Sequence, residues 1–380
     1  MKKLYILTCA MAACSLVGNA ANPLFNKVFE FVPAPGQFTN VYPEWESGDD
    51  ADAIKEKAFQ SMSDGAIICL GAYGGYVTVG FDHTVVNVAG ERDFYIKGNA
   101  FTGNSEPGIV MVSYDINGNG LPDDLWFEIA GSEYNNSTLN YEITYVKPAD
   151  DNADIAWSDN KGNTGFVYKN DFHSQPHWPQ WIDSAELTFK GTRLPDNGKN
   201  TGTANQPYFV LSQYDYGYAD NAPNYDGEQL NPDAMIDIDW AVDENGNTVK
   251  MPGVDFVRIY TGVNQYNGWI GECSTEVESI SDQHADAQID TEILNDFLSK
   301  YNQGSVREIS NDDVRVYVDN SGTVRFALEE STTVRVFDQA GRECYVAKCE
   351  KGANSLELGD YPKGLYIVVI GKNATKILKK

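Results

Sequence analysis

Cysteine is scarce in this chain of 380 residues: of six, Cys9 and Cys14 lie in an N-terminal apolar run, leaving Cys69, Cys273, Cys344 and Cys349. Four are too few to hold a disulfide-framed scaffold. Cys344 and Cys349 stand five apart on one expected strand, so alternation points them to opposite faces roughly 16 Å apart and forbids a bond between them. For Cys69 and Cys273 a bridge and a pair of buried thiols both stay open, free thiols being the commoner outcome. Positive charge is also short, with 28 Lys and Arg against 55 Asp and Glu and a net charge of -27. Such a surface repels polyanions, which excludes nucleic acid as a partner. No apolar run reaches the ~20 residues of a bilayer-crossing helix. Serine-nucleophile, phosphate-loop and cysteine–histidine signatures are missing, so the commonest hydrolytic and nucleotide chemistries have no motif to rest on.

The N-terminus reads Met1-Lys2-Lys3, an apolar run from Leu4 to Val17, then Gly18-Asn19-Ala20, the order of a secretory signal peptide over residues 1–20. Met11-Ala12-Ala13-Cys14 is similar to a lipoprotein cleavage site, and acylation at Cys14 would tether the protein; cleavage after Ala20 is the expected course. Beyond it, short β-branched and aromatic runs bounded by Gly, Asn, Asp and Pro predict strands at Val28–Val32, Tyr76–Phe81, Gly108–Tyr114, Tyr141–Val146, Ala185–Phe189 and Val254–Tyr260. Apolar residues at helical spacing predict helices over Ala51–Met62 and Thr291–Tyr301. The fold class is mainly β: a large, jelly-roll-like β-sandwich over residues 24–308, then a small Ig-like sandwich over 310–380, with the boundary near Ser305–Asp312.

The C-terminal series carries Val334-Arg335-Val336-Phe337-Asp338, Gly341-Arg342, Gly352-Ala353-Asn354, Leu358–Tyr361, Pro362-Lys363-Gly364-Leu365-Tyr366-Ile367-Val368 and the basic end Lys376–Lys380. In these blocks it resembles the C-terminal sorting domain of the type IX secretion system of Bacteroidetes, which implies a partner in that secretion machinery and a surface or secreted location. Residues Phe29–Val277 resemble a family of secreted Bacteroidetes cell-surface proteins, some encoded beside cobalamin-uptake components. The blocks that carry this resemblance include Val32–Phe38, Leu70–Tyr76, Gly80–His83, Gly98–Phe101, Ser105–Val110, Gly131–Tyr134, Gly217–Asn221, Phe256–Thr261 and Gly268–Val277. The resemblance implies a location rather than a chemistry.

One motif bears on a metal. In Asp115-Ile116-Asn117-Gly118-Asn119-Gly120-Leu121-Pro122-Asp123-Asp124, oxygens at positions 1, 3, 5 and 9 and a backbone carbonyl at 7 follow the order of a calcium loop. Asp115, Asn117, Asn119, Leu121, Asp123 and Asp124 are the expected ligands of a structural Ca2+; an Asx-rich hairpin is the alternative. Asp243-Glu244-Asn245-Gly246-Asn247 lacks the later ligand and reads as a hairpin turn. Aromatics gather in two loops, one with Trp178 and Trp181, the other with Tyr214, Tyr216, Tyr218 and Asp220. Flat rings beside carboxylates suit a glycan or a corrin-like macrocycle, while burial of alternate tyrosines in a strand is the competing reading. His173 and His177 are spaced for a helical metal pair, but Pro176 disfavours the helix. Asp237 and Asp239 with Glu272 and Glu276 are candidates for the acid pair of glycoside hydrolysis, solvated carboxylates being the commoner case. The sequence thus reads as a surface binding module, with a cobalamin-uptake accessory and a carbohydrate-active enzyme as rivals.

Overall fold

The computed structural model describes residues 22–170, 172–301, 316–318, 323–328, 331–338, 342–357, 361, 364–370 and 373–379. The expected signal peptide with Cys14, the expected boundary at 305–312 and, within the sorting motif, residues 341, 358–360, 362–363 and 380 fall outside them. The chain is mainly β and forms two compact units. One holds the residues up to 115 together with 125–290; the other holds 116–124 together with 291–380, so the division comes before the second helix.

In the first unit a six-stranded antiparallel sheet, sheet A, runs in the order Lys27–Val32, Tyr76–Val86, Gly253–Thr261, Gly108–Ser113, Trp126–Ile129, Ala241–Val242. All six sequence-predicted strands exist. The strand Gly253–Thr261 is central and nearly continuously buried, as a strand covered on both faces must be. A second sheet, sheet B, has the order Glu186–Arg193, Thr138–Val146, Ile155–Asp159, Thr164–Val167. Tyr141, Ile143 and Tyr145 alternate inward from sheet B and meet Tyr73, Ile109 and Tyr260 in one apolar cluster. That cluster is the core of the sandwich.

The helix Ala51–Ser63 packs on the strand Lys27–Val32 through Ile54, Ala58 and Met62. Asp50 caps it by accepting the Ala53 N–H at 2.9 Å, and Gly65, in the left-handed region at φ 71°, ends it. The second helix spans Thr291–Tyr301, as the periodicity predicts.

The second unit stacks a three-stranded sheet against a four-stranded one over Val324, Phe326, Val334, Val336, Val368 and Ile370, an Ig-like arrangement. The Cys344–Cys349 expectation needs correction here. Both are free, yet both pack on this one core instead of opposite faces. The reason is a register shift where Val336 pairs with Tyr345 but Phe337 pairs with Glu343, which breaks the alternation at Cys344.

Candidate functional site

Sheet B ends in a hairpin that the sequence reading passed over, and its turn explains its rigidity. Asp159 Oδ1 accepts the N–H groups of Lys161 at 2.9 Å and Asn163 at 2.7 Å, while Oδ2 accepts Asn163 Nδ2 and the Tyr141 hydroxyl at 2.9 Å each. Burial pushes the Asp159 carboxyl up, but these bonds outweigh it and hold the group below the usual carboxylate range. The same Asp-x-x-Gly-x device closes the expected turn at Asp243–Asn247. Across the hairpin Trp157 pairs with Gly165. A Cβ on Gly165 would stand 2.4 Å from the indole, so the ring lies over the neighbouring strand only because no side chain is there.

Two cavities open beside this hairpin. The outer one, of about 320 Å³, is lined by Tyr141, Trp157, Asp159, Arg193 and Asn264 among others. The inner one, of about 220 Å³, has Trp157, Phe166, Tyr168 and Tyr266 as walls, with Tyr73, Glu272 and Cys273 also lining it. Trp157 and Asn264 border both, which makes them two lobes of one groove. Phe166, Tyr168 and Tyr266 are 46%, 39% and 51% exposed, and the rings form a chain with centroids 5.8 Å apart for Phe166–Tyr168 and 4.6 Å for Tyr168–Tyr266. The three rings thus make one contiguous exposed aromatic surface. Polar groups flank it. Asn264 Nδ2 donates to the Tyr141 hydroxyl at 3.0 Å, Arg193 lies 5.7 Å from the Tyr141 ring centroid, and the buried Arg193 Nε has no partner.

Glu272 is 5% exposed; its Oε1 accepts the Gln37 N–H at 2.6 Å, and its Oε2 has no partner. Burial, against the pull of that N–H, lifts its carboxyl to about 7. Close by, Glu106, Asp220 and Glu276 bring one carboxylate oxygen each within 4.8 Å of the others. Asp220 Oδ1 accepts the N–H groups of Asn99 and Ala100 at 2.8 Å each, its Oδ2 accepts Glu276 N–H at 3.0 Å, and Glu106 Oε1 accepts Ser274 N–H at 3.0 Å. Burial first, and for Glu106 and Glu276 the neighbouring carboxylates after it, holds all three groups above the usual carboxylate range. Cys69 and Cys273 are buried free thiols, the Cys69 Sγ meeting Ser274 Oγ at 2.8 Å.

The residues expected from sequence are scattered by comparison. Trp178 and Tyr218 are 1% exposed: Trp178 Nε1 donates to Ile182 O at 3.2 Å, and the Tyr218 hydroxyl accepts Glu133 N–H at 2.9 Å. Both rings belong to the core, so neither presents a face to a surface ligand. Tyr214 stands edge-on to Tyr218 and donates to Pro195 O; Trp181 stacks on Phe31; Asp220 sits in the carboxylate cluster. Tyr216 alone of this set is exposed, against Trp240. His177 is buried and pushed down to about 4 by desolvation. Asp237 pairs with Arg92 and Asp239 accepts from Asn87, while Glu272 and Glu276 lie at the groove floor and in the cluster.

In the loop expected to hold calcium, Asn117 Nδ2 and Asn119 Nδ2 donate to Asp123 Oδ1 at 2.9 and 3.1 Å, and the two amide oxygens accept the N–H groups of Asn119 and Leu121. The rings of the groove were missed, although Ile155-Trp157-Asp159 and Thr164-Phe166-Tyr168 alternate around an Asp-Asn-Lys-Gly-Asn turn.

Residues 318–380 match the secretion system C-terminal sorting domain. No curated protein matches the chain. The protein is therefore secreted or displayed at the cell surface, and its C-terminal part engages the type IX secretion machinery. No helix among the described residues is long and apolar enough to cross a membrane. Removing 318–380 is expected to strand the protein in the periplasm, read by fractionation; normal surface display of the truncated chain would contradict that role.

Proposed function

We propose that this secreted or cell-surface protein binds a glycan in the groove beside the Ile155–Val167 hairpin. What carries the reading is the chain of exposed rings, Phe166, Tyr168 and Tyr266, continuous with Trp157 and edged by polar groups. Sugars present apolar ring faces rimmed by hydroxyls, so a bound saccharide stacks on the aromatics while Asn264 and Asp159 meet its hydroxyls. The test is calorimetric titration of the protein with a panel of oligosaccharides and with cobalamin. Binding of an oligosaccharide without turnover supports the reading. Turnover would make the protein a carbohydrate-active enzyme, and a shift of the cobalamin spectrum on mixing, with no sugar bound, would favour an accessory role in corrinoid uptake.

A structural calcium ion in the Asn117–Asp124 loop belongs to the same proposal, supported by the oxygen order of the sequence. Chelation is then expected to lower the melting temperature, and Asp123→Ala to remove that sensitivity. A melt unchanged by chelator in the unmodified protein would strike the ion from the account.

A further inference from the structure

We infer that the inner lobe of the groove receives a positively charged ammonium group, so that the glycan bound there carries a free amine. The inference deepens the glycan reading and rests on the groove being its site. The shape of the lobe is the first argument. Its walls are tilted to one another, with interplanar angles of 46° for Phe166–Tyr168 and 52° for Tyr168–Tyr266. A sugar face stacks best on one flat platform, whereas a cation gains from every ring face turned toward it. Trp157 adds a further ring to the walls.

Charge is the second argument. Two carboxylates line the lobe and no Lys or Arg does. Asp196 is already answered by Arg193. Glu272 is not: its Oε2 is buried and without a donor, and the buried Tyr73 hydroxyl in the same lining also has no partner. An ammonium has three N–H donors and no acceptor, so on entering the lobe it supplies the donor that the Glu272 carboxylate lacks while its charge faces the rings. A neutral hydroxyl would bring one donor and leave the carboxylate uncompensated. The net charge of -27 further raises the local concentration of cationic ligands.

The test is titration at neutral pH with a glucosamine hexamer bearing free amines, its N-acetylated counterpart and a neutral glucose hexamer, with methylammonium as competitor. The glucosamine hexamer is expected to bind at least tenfold tighter than either neutral chain and to be displaced by methylammonium. Glu272→Gln, a near-isosteric change, should cut that preference at least tenfold; Tyr168→Ala, at an exposed position, should reduce it as well and serves if the first variant folds poorly. Equal affinity for all three hexamers, or a preference that survives both substitutions, would overturn the ammonium site and leave the glycan reading standing. Failure of every hexamer to bind would overturn both.

Discussion

Replacing Trp157 with alanine will weaken oligosaccharide binding at least tenfold, about 1.4 kcal/mol, while the protein stays folded. Trp157 is the one ring that borders both lobes, so its loss removes the platform between the outer polar rim and the inner aromatic walls. It is half-buried at the margin of the core, not inside it, so truncation opens no closed cavity, and a melting loss of a few degrees is the expected scale. Gly165→Ala makes the same point without deleting a ring. The new methyl would stand 2.4 Å from the indole and must displace it, so affinity should fall with Trp157 still present. Calorimetry reads the affinity and near-ultraviolet circular dichroism the ring's surroundings. Unchanged affinity in both variants would remove the hairpin from the site.

In a chelating buffer the protein will melt at a higher temperature at pH 5 than at pH 8. Unfolded carboxyls titrate near ~4, whereas in the folded chain Glu272 sits at about 7 and Glu106, Asp220 and Glu276 are all held above their ordinary range. Between those limits the folded state binds more protons than the unfolded one, so stability falls as pH rises, by about 1.4 kcal/mol per pH unit for each group still protonated. Asp93 and Glu128, each lifted to about 7 by burial, act in the same direction. His177, held down to about 4, acts against them by costing stability as pH falls below its unfolded value near ~6.5. One histidine against several carboxyls leaves the net sign as stated. Glu106→Gln should raise the melting temperature at pH 8, since its amide oxygen can still accept the Ser274 N–H while one buried charge disappears. A melt that is flat or rising from pH 5 to 8 would contradict the cluster as described.

The frame was legible in the sequence because it depends on local rules. β-branched and aromatic runs marked four of the six strands of sheet A, helical spacing marked the first helix, and Asp243–Asn247 turned as its Asn-Gly requires. The site was less legible because it depends on which segments meet. Glu106, Asp220, Glu272 and Glu276 come from three stretches far apart in the chain, and only the folding of 98–108, 217–221 and 271–277 against one another brings them together. Aromatics in loops misled for a related reason. Trp178 and Tyr216 look alike in composition, yet Trp178 is tied inward by its indole bond to Ile182 while Tyr216 stays at the surface. Periodicity does not report such ties.

The most direct measurement sets one exposed tyrosine against another: oligosaccharide titration of Tyr266→Ala beside Tyr216→Ala. Tyr266 is a wall of the groove, while Tyr216 rests on Trp240 outside both lobes. The groove account predicts loss of affinity in the first and full retention in the second. Retention in Tyr266→Ala with loss in Tyr216→Ala would put the ligand on the other loop and contradict the account.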